Sequence, residues 1–140
     1  MTERISEVMT KNPVMLSSSS SITEAAKCML DEDIGAVIVE DDGKLCGIVT
    51  DRDIAVRAVA KKKDPQHTKL GEICSRATCT VSEDDDVDRA VELMRANALR
   101  RVPVVDRQDK VVGIVSLGDL AQRRDPRSAL GQISAAPPNH

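Results

Sequence analysis

The chain contains no phenylalanine, tryptophan or tyrosine. The aromatic platforms on which single-stranded nucleic acids stack are therefore missing. A planar ligand must be gripped by aliphatic side chains and backbone instead. Histidine is almost as scarce, with only His67 and His140, and no two of the four cysteines stand in a C-x-x-C arrangement. Zinc-type spacing is absent, so no metal site is expected. No histidine lies near a matching nucleophile and no glycine-rich loop cradles a phosphate, so no catalytic residues are assigned and an enzyme is not expected. The longest unbroken apolar run, residues 36–39, is far too short to span a membrane. The opening stretch MTERISEVM has no apolar signal core, which points to the cytoplasm. The net charge of -3 argues against a nucleic-acid binder. The Lys61, Lys62, Lys63 run reads as a solvated stretch where cations meet the negative end of a helix.

What is present is an internal repeat, the strongest organising signal a sequence can carry. With Glu7 set against Glu72, residues 7–41 align with 72–106, and after one extra residue near 107–109 the match resumes through Gly113. Each repeat has the same plan. A brief extended piece (13–16; 79–81) precedes a helix. The helix stripe is Ile22, Ala25, Ala26, Met29 in the first repeat and Val87, Ala90, Val91, Met94 in the second, an i, i+3, i+4, i+7 pattern. A β-branched run, a polar turn (DDGK; RQDK) and a second apolar run predict a hairpin. A final helix begins at Thr50 or Ser116. The class is therefore α/β (α+β), built from β-α-β-β-α units at 1–61 and 72–125. A linker spans 62–71. Residues 126–140, with two adjacent prolines, are expected to form a short helix and a loose end. The five serines at 17–21 precede a helix, where short oxygen-bearing side chains cap free N–H groups. Ser21 with Glu24 has capping-box spacing.

The repeat's most informative segment is an octet, GIVTDRDI at 47–54 and GIVSLGDL at 113–120. Glycine, hydroxyl and carboxylate return; Asp51 and Arg52 are replaced by Leu117 and Gly118. Thr50 with Asp53, and Ser116 with Asp119, have the spacing of helix N-cap and N3, so reciprocal capping alone can explain them. The same geometry also suits a nucleotide. A hydroxyl at a helix start can donate to phosphate, and a carboxylate one turn on can accept from two vicinal ribose hydroxyls.

Two β-α-β-β-α units, each ending in G-h-h-[ST]-x-x-D (h, apolar), resemble a tandem pair of cystathionine-β-synthase-type (CBS) domains over residues 5–125. The stretches VMTKNPV, DIGAVIVEDDGKLCGIVTDRDI and ALRRVPVVDRQDKVVGIVSLGDL carry the resemblance. It implies two pseudo-symmetric units packed sheet to sheet, with two clefts that hold AMP, ADP, ATP, NAD or S-adenosylmethionine. It also implies a further pairing into a homodimer. No cofactor is required and no membrane or nucleic acid is implied. Thr50, Asp53, Ser116 and Asp119 would contact phosphate and ribose. The opening stretches would line the pockets: Thr10, Asn12, Pro13 and Val14, with Ser75, Ala77, Thr78 and Cys79. Ala36, Val37 and Ile38, and Val102, Pro103 and Val104, would form an aliphatic slot for a purine. Arg100 and Arg101, where the first repeat has Gly35 and Ala36, suit phosphate. Binding would then be lopsided, with Arg52 a further candidate in the first repeat.

The expected role is a non-catalytic regulatory module that reports energy or stress state to an unidentified protein partner. The alternative is a structural or dimerisation protein whose clefts stay empty; a third, weaker reading is a nucleic-acid-associated protein using the Lys61, Lys62, Lys63 run. Each cysteine aligns with an apolar residue of the sister repeat: Cys28 with Leu93, Cys46 with Val112, Cys74 with Met9 and Cys79 with Val14. Small buried thiols are expected, with a redox role only where two meet in the fold.

Overall fold

The computed structural model describes residues 3–77 and 79–124. Thr78, a predicted pocket residue, and the predicted tail at 126–140 lie outside the described residues. Two compact units form. One, the central unit, takes residues from 14 onward through 77; the other, the split unit, joins residues 3–13 to 79–124.

The split unit begins with a 3-10 turn, Ile5–Glu7, and strand β1 (Thr10–Lys11). The central unit contains β2 (Met15–Ser17), α1 (Ile22–Glu32), β3 (Ala36–Asp41), β4 (Lys44–Thr50), α2 (Asp51–Asp53), α3 (Leu70–Ile73) and β5 (Ser75–Arg76). A π-helical stretch, Ile54–Val59, continues α2. The split unit resumes with β6 (Val81–Ser82), α4 (Val87–Asn97), β7 (Arg101–Val105), β8 (Val111–Ser116) and α5 (Leu117–Arg124). Each unit holds one four-stranded sheet, in the orders β2-β3-β4-β5 and β1-β8-β7-β6. The α/β class and the doubled β-α-β-β-α plan are thus as expected from the sequence.

The helix stripes do their predicted work with one exception. Ile22 and Ala25 are buried, Met29 packs against the same cluster, and Val87, Ala90 and Met94 are buried in the second. Ala26 is exposed. Both helices stop in a left-handed residue, Asp33 and Ala98, whose successors Ile34 and Leu99 donate back to Met29 and Met94 carbonyls. Ser21 Oγ accepts from Glu24 N at 3.2 Å, one arm of the expected box. Inside each sheet the alternation of side chains is plain. Val37, Val39 and Val49 face one helix-side cluster; Val102, Val104 and Val115 face the other.

The opening segments of the two repeats are exchanged, which no local pattern in the sequence signals. Residues 3–11 open the first repeat but pack on the second. Ile5 N donates to Asp85 O (2.9 Å), Ser6 N to Glu83 O (3.0 Å), and Val87 N to Glu3 O (2.9 Å). The same three bonds recur with the two repeats interchanged, each partner shifted by 65 positions: Leu70 N to Ser20 O (2.9 Å), Gly71 N to Ser18 O (2.9 Å), and Ile22 N to Thr68 O (3.1 Å). Ile5 and Leu70 are each fully buried, in opposite units. The stretch expected as a linker, 62–71, therefore ends in core: Thr68 and Leu70 are buried because they close the N-terminus of α1 and fill the space beneath it. Residues 61–67 are exposed.

The repeated glycine of the octet is explained by this exchange. Gly47 pairs with Arg76 of β5, and Gly113 with Lys11 of β1. A Cβ on Gly47 would fall on the carbonyl oxygen of Ser75; one on Gly113 would lie 2.9 Å from the carbonyl oxygen of Thr10. Only glycine lets the incoming strand approach this closely.

Candidate functional site

Each octet ends a strand and opens a helix, and the two junctions are built alike. Thr50 N donates to Asp53 Oδ2 at 2.9 Å, and Asp53 N to Thr50 Oγ1 at 3.1 Å. Ser116 N donates to Asp119 Oδ2 at 3.0 Å, and Asp119 N to Ser116 Oγ at 3.1 Å. Both are reciprocal caps, which satisfy two helix-start donors each. The capping role leaves chemistry to spare. A hydroxyl that accepts from N–H keeps its own proton to donate, and a carboxylate offers about four lone-pair sites. All four side chains are half-buried, so none is sealed into a core.

The sheet face that accompanies each cap follows from register. Ala36 lies opposite Thr50, Ile38 opposite Ile48, and Ile48 opposite Ser75 of β5. Directly opposed residues share a face. In the split unit Arg101 lies opposite Ser116, Pro103 opposite Ile114, and Ile114 opposite Thr10 of β1. Of the predicted slot residues, Ala36, Ile38 and Pro103 thus share a face with a hydroxyl–carboxylate pair. Val37, Val102 and Val104 instead point into the helix-side clusters, because alternation along a strand sends them the other way.

The exchange also redistributes the opening stretches. Thr10 sits on the sheet of Ser116, not that of Thr50, and Asn12 N donates to Val112 O at 3.2 Å in the same unit. Pro13 ends that segment. Val14 packs in the central unit, where its carbonyl accepts from Ile38 N at 2.8 Å. Ser75 lies beside β4, and Ala77 N donates to Cys46 O at 3.3 Å. Cys79 packs against the split unit's cluster.

Charge separates the two junctions. In the split unit Arg101 is half-buried opposite Ser116, and the carbonyl of exposed Arg100 accepts from Leu117 N at 2.8 Å. In the central unit Asp51 N donates to Gly35 O at 3.0 Å, and a Cβ on Gly35 would come within 3.2 Å of Asp51 Oδ2. Arg52 is exposed, with its backbone N–H donating to Asp51 Oδ1 at 2.8 Å. Arg57, outside the octet, also belongs here. Arg57 Nε lies 3.8 Å from Asp53 Oδ1, and its Nη1 donates to Ile73 O at 3.0 Å. It ties the octet's aspartate to the exchanged segment. The signal was in the sequence: DIAVR at 53–57 returns as DLAQR at 119–123.

Among the described residues, no group of three or more histidine, cysteine or acidic side chains could hold a metal ion. No helix among them is long and apolar enough to cross a membrane.

Comparison with known proteins agrees with this doubled architecture. The CBS domain model matches twice, at residues 5–59 and 70–125. A CBS domain-containing protein of Bacillus subtilis, YhcV, is 36% identical over 127 residues, which cover 91% of this chain and 89% of that one. Hypoxic response protein 1 of Mycobacterium tuberculosis is 32% identical over 131 residues, covering 93% and 90%. Among solved structures, the CBS domain pair of protein MJ0100, in complex with 5'-methylthioadenosine and S-adenosyl-L-methionine, superposes with a TM-score of 0.79 at 33% identity, covering 91% of this chain and 100% of that one. The chain belongs to the CBS domain family and carries two CBS domains in tandem.

Proposed function

We propose that the chain is a non-catalytic regulatory module of the cytoplasm that binds an adenosyl compound through its hydroxyl–carboxylate pairs. The observation that carries this reading is the doubled junction itself. Thr50/Asp53 and Ser116/Asp119 have the same geometry, keep a hydroxyl proton and carboxylate lone pairs beyond the cap, and stand beside an aliphatic sheet face. A relative of the same architecture binds two adenosyl compounds. In this chain the carboxylate accepts from ribose hydroxyls, the Thr or Ser hydroxyl donates to the ligand's polar end, and Ile38 or Pro103 supplies apolar contact to the base.

The two junctions select different ligands. Arg100 and Arg101 favour a phosphate-bearing adenosyl compound at Ser116/Asp119. Asp51 beside Gly35 disfavours a second negative charge at Thr50/Asp53, which suits a ligand with no phosphate there. The chain works as a homodimer. Leu30, Val56 and Val59 are exposed, Leu30 at 80%, which leaves apolar surface in the central unit for a second copy. In the split unit, a groove of about 370 Å³ between α4 and α5 is lined by Val91, Met94, Leu99, Leu117 and Leu120. That groove also supports the second reading, a dimerisation protein without ligand.

Calorimetric titration against AMP, ATP, NAD and S-adenosylmethionine separates the two. The expected result is binding on the order of micromolar Kd, with Asp53→Ala and Asp119→Ala each removing one site. Each variant should stay folded and lose about 1 kcal/mol from the broken cap. Equal affinity in wild type and both variants refutes the site; no binding of any of the four leaves the dimerisation reading.

A further inference from the structure

Cys46 and Cys74 are distant in sequence and meet in the central unit, with their sulfurs 3.7 Å apart. Two features of the fold bring them together. Between Val39 and Glu40 of β3 the register shifts, so that Gly47 pairs with Val39 and Leu45 with Glu40, while Cys46 between them has no opposite number. Cys46 is thus the extra residue of a β-bulge, a device that re-aims a side chain. It packs against the helix-side cluster. Cys74 caps the end of α3, immediately before β5, and packs against the same cluster. The backbones are already tied, since Gly47 and Ile48 pair with Arg76 and Ser75, and Ala77 N reaches Cys46 O. In the split unit the equivalent residues are Val112 and Met9, so the pairing is peculiar to one unit. All four cysteines are free and half-buried rather than sealed, which corrects the expectation of buried thiols.

We propose that Cys46 and Cys74 are a reversible oxidation site, closing to a disulfide by exchange with a low-molecular-weight disulfide such as oxidised glutathione. The sulfurs must move from 3.7 Å to about 2.05 Å, a closure that side-chain rotation provides when the backbones are held together. The exchange runs in two steps. The Cys46 thiolate attacks one sulfur of the small disulfide; a mixed disulfide forms on Cys46 and one small thiolate leaves. Cys74 then gives up its proton, attacks the Cys46 sulfur, and expels the second small thiolate. The two protons end on the two small thiols, and two electrons pass from the protein to the reagent. Burial, and then the neighbouring Cys46 sulfur, push the Cys74 thiol up to about 11, which favours Cys46 as the entering nucleophile. The product ties β4, the strand that ends in Thr50, to the exchanged segment that holds β5. The pairing stands on the thiol geometry, the order of attack on the raised Cys74 thiol, and neither depends on ligand binding.

The test is mass spectrometry of the whole chain after incubation with oxidised glutathione at pH 8. The expected product is lighter by about 2 Da. Tryptic digestion should then join the peptide 45–52 to the peptide 70–76, each of which contains one of these two cysteines. Cys74→Ser should instead accumulate a glutathione adduct on Cys46, heavier by about 305 Da, because the resolving thiol is gone. Cys46→Ser should be modified at Cys74 more slowly than Cys74→Ser is at Cys46, because burial still raises the Cys74 thiol. A crosslink to Cys28 or Cys79 overturns the proposal. So do stable adducts on both Cys46 and Cys74 in the wild type, or an unreacted pair while Cys28 is modified.

Discussion

Gly47→Ala is the sharpest probe of the segment exchange. The added methyl would fall on the Ser75 carbonyl oxygen, and a backbone atom cannot swing aside as a side chain can. β5 must lift off β4. Its anchoring there consists of the Gly47–Arg76 and Ile48–Ser75 pairings and the Ala77 N to Cys46 O bond. Losing two or three such bonds at about 1 kcal/mol each costs about 2–3 kcal/mol, similar to the usual cost of overpacking at about 1–3 kcal/mol. For a chain of this length that is a fall in Tm of about 7–10 °C. Gly113→Ala should cost less. The nearest atom there is the Met9 sulfur at 2.5 Å, the end of a flexible side chain, with the Thr10 carbonyl oxygen at 2.9 Å. Gly43→Ala is the control. Its φ is +78° and nothing lies within 4 Å, so only backbone strain of about 1 kcal/mol is expected. Urea unfolding gives the stabilities, and hydrogen exchange at the Ala77 amide reports whether β5 has detached. A Gly47→Ala cost no greater than that of Gly43→Ala, with Ala77 still protected, would refute the clamp.

Two further outcomes are expected. Ala98 ends α4 in the left-handed region, φ 54° and ψ 43°, where a Cβ is unwelcome. Ala98→Gly should therefore raise stability by about 1 kcal/mol in urea unfolding, and a loss would show that the turn is not strained. Asp64 Oδ2 lies 2.6 Å from His67 Nδ1 and Asp64 Oδ1 accepts from Gln66 N; these bonds, His67's first, hold its carboxyl below the ordinary 3.8. A depressed acid stabilises the fold above its unfolded value and loses that contribution as pH falls through the folded one. By NMR titration, His67→Ala should move the Asp64 midpoint up towards 3.8, and an unchanged midpoint would contradict the assignment.

Much of this protein is decided by its sequence alone, because the relevant forces act over short separations. The helices at 22–32 and 87–97 follow from apolar spacing. The hairpins follow from β-branched runs around DDGK and RQDK, with Asp42 and Gly43 or Asp109 in positive φ. The caps at Thr50 and Ser116 are written as local hydroxyl–carboxylate spacing, and the structure forms both. The repeat also announced the Asp-x-x-x-Arg pair at 53 and 57. Tertiary structure alone decided where the opening segments go. β1 and β5 are two residues long, too brief for any periodic signal, and their partners lie some 30 to 100 residues away. That choice places Thr10 with Ser116 and Ser75 with Ile48, and makes Gly47 and Gly113 obligatory. It also brings Cys74 against Cys46, since a bulge in one strand and the end of a distant helix meet only when β5 is laid along β4. Local spacing can specify which chemical groups a junction carries; which segment lies beside it depends on burying Ile5 and Leu70, and that is a property of the whole packed unit.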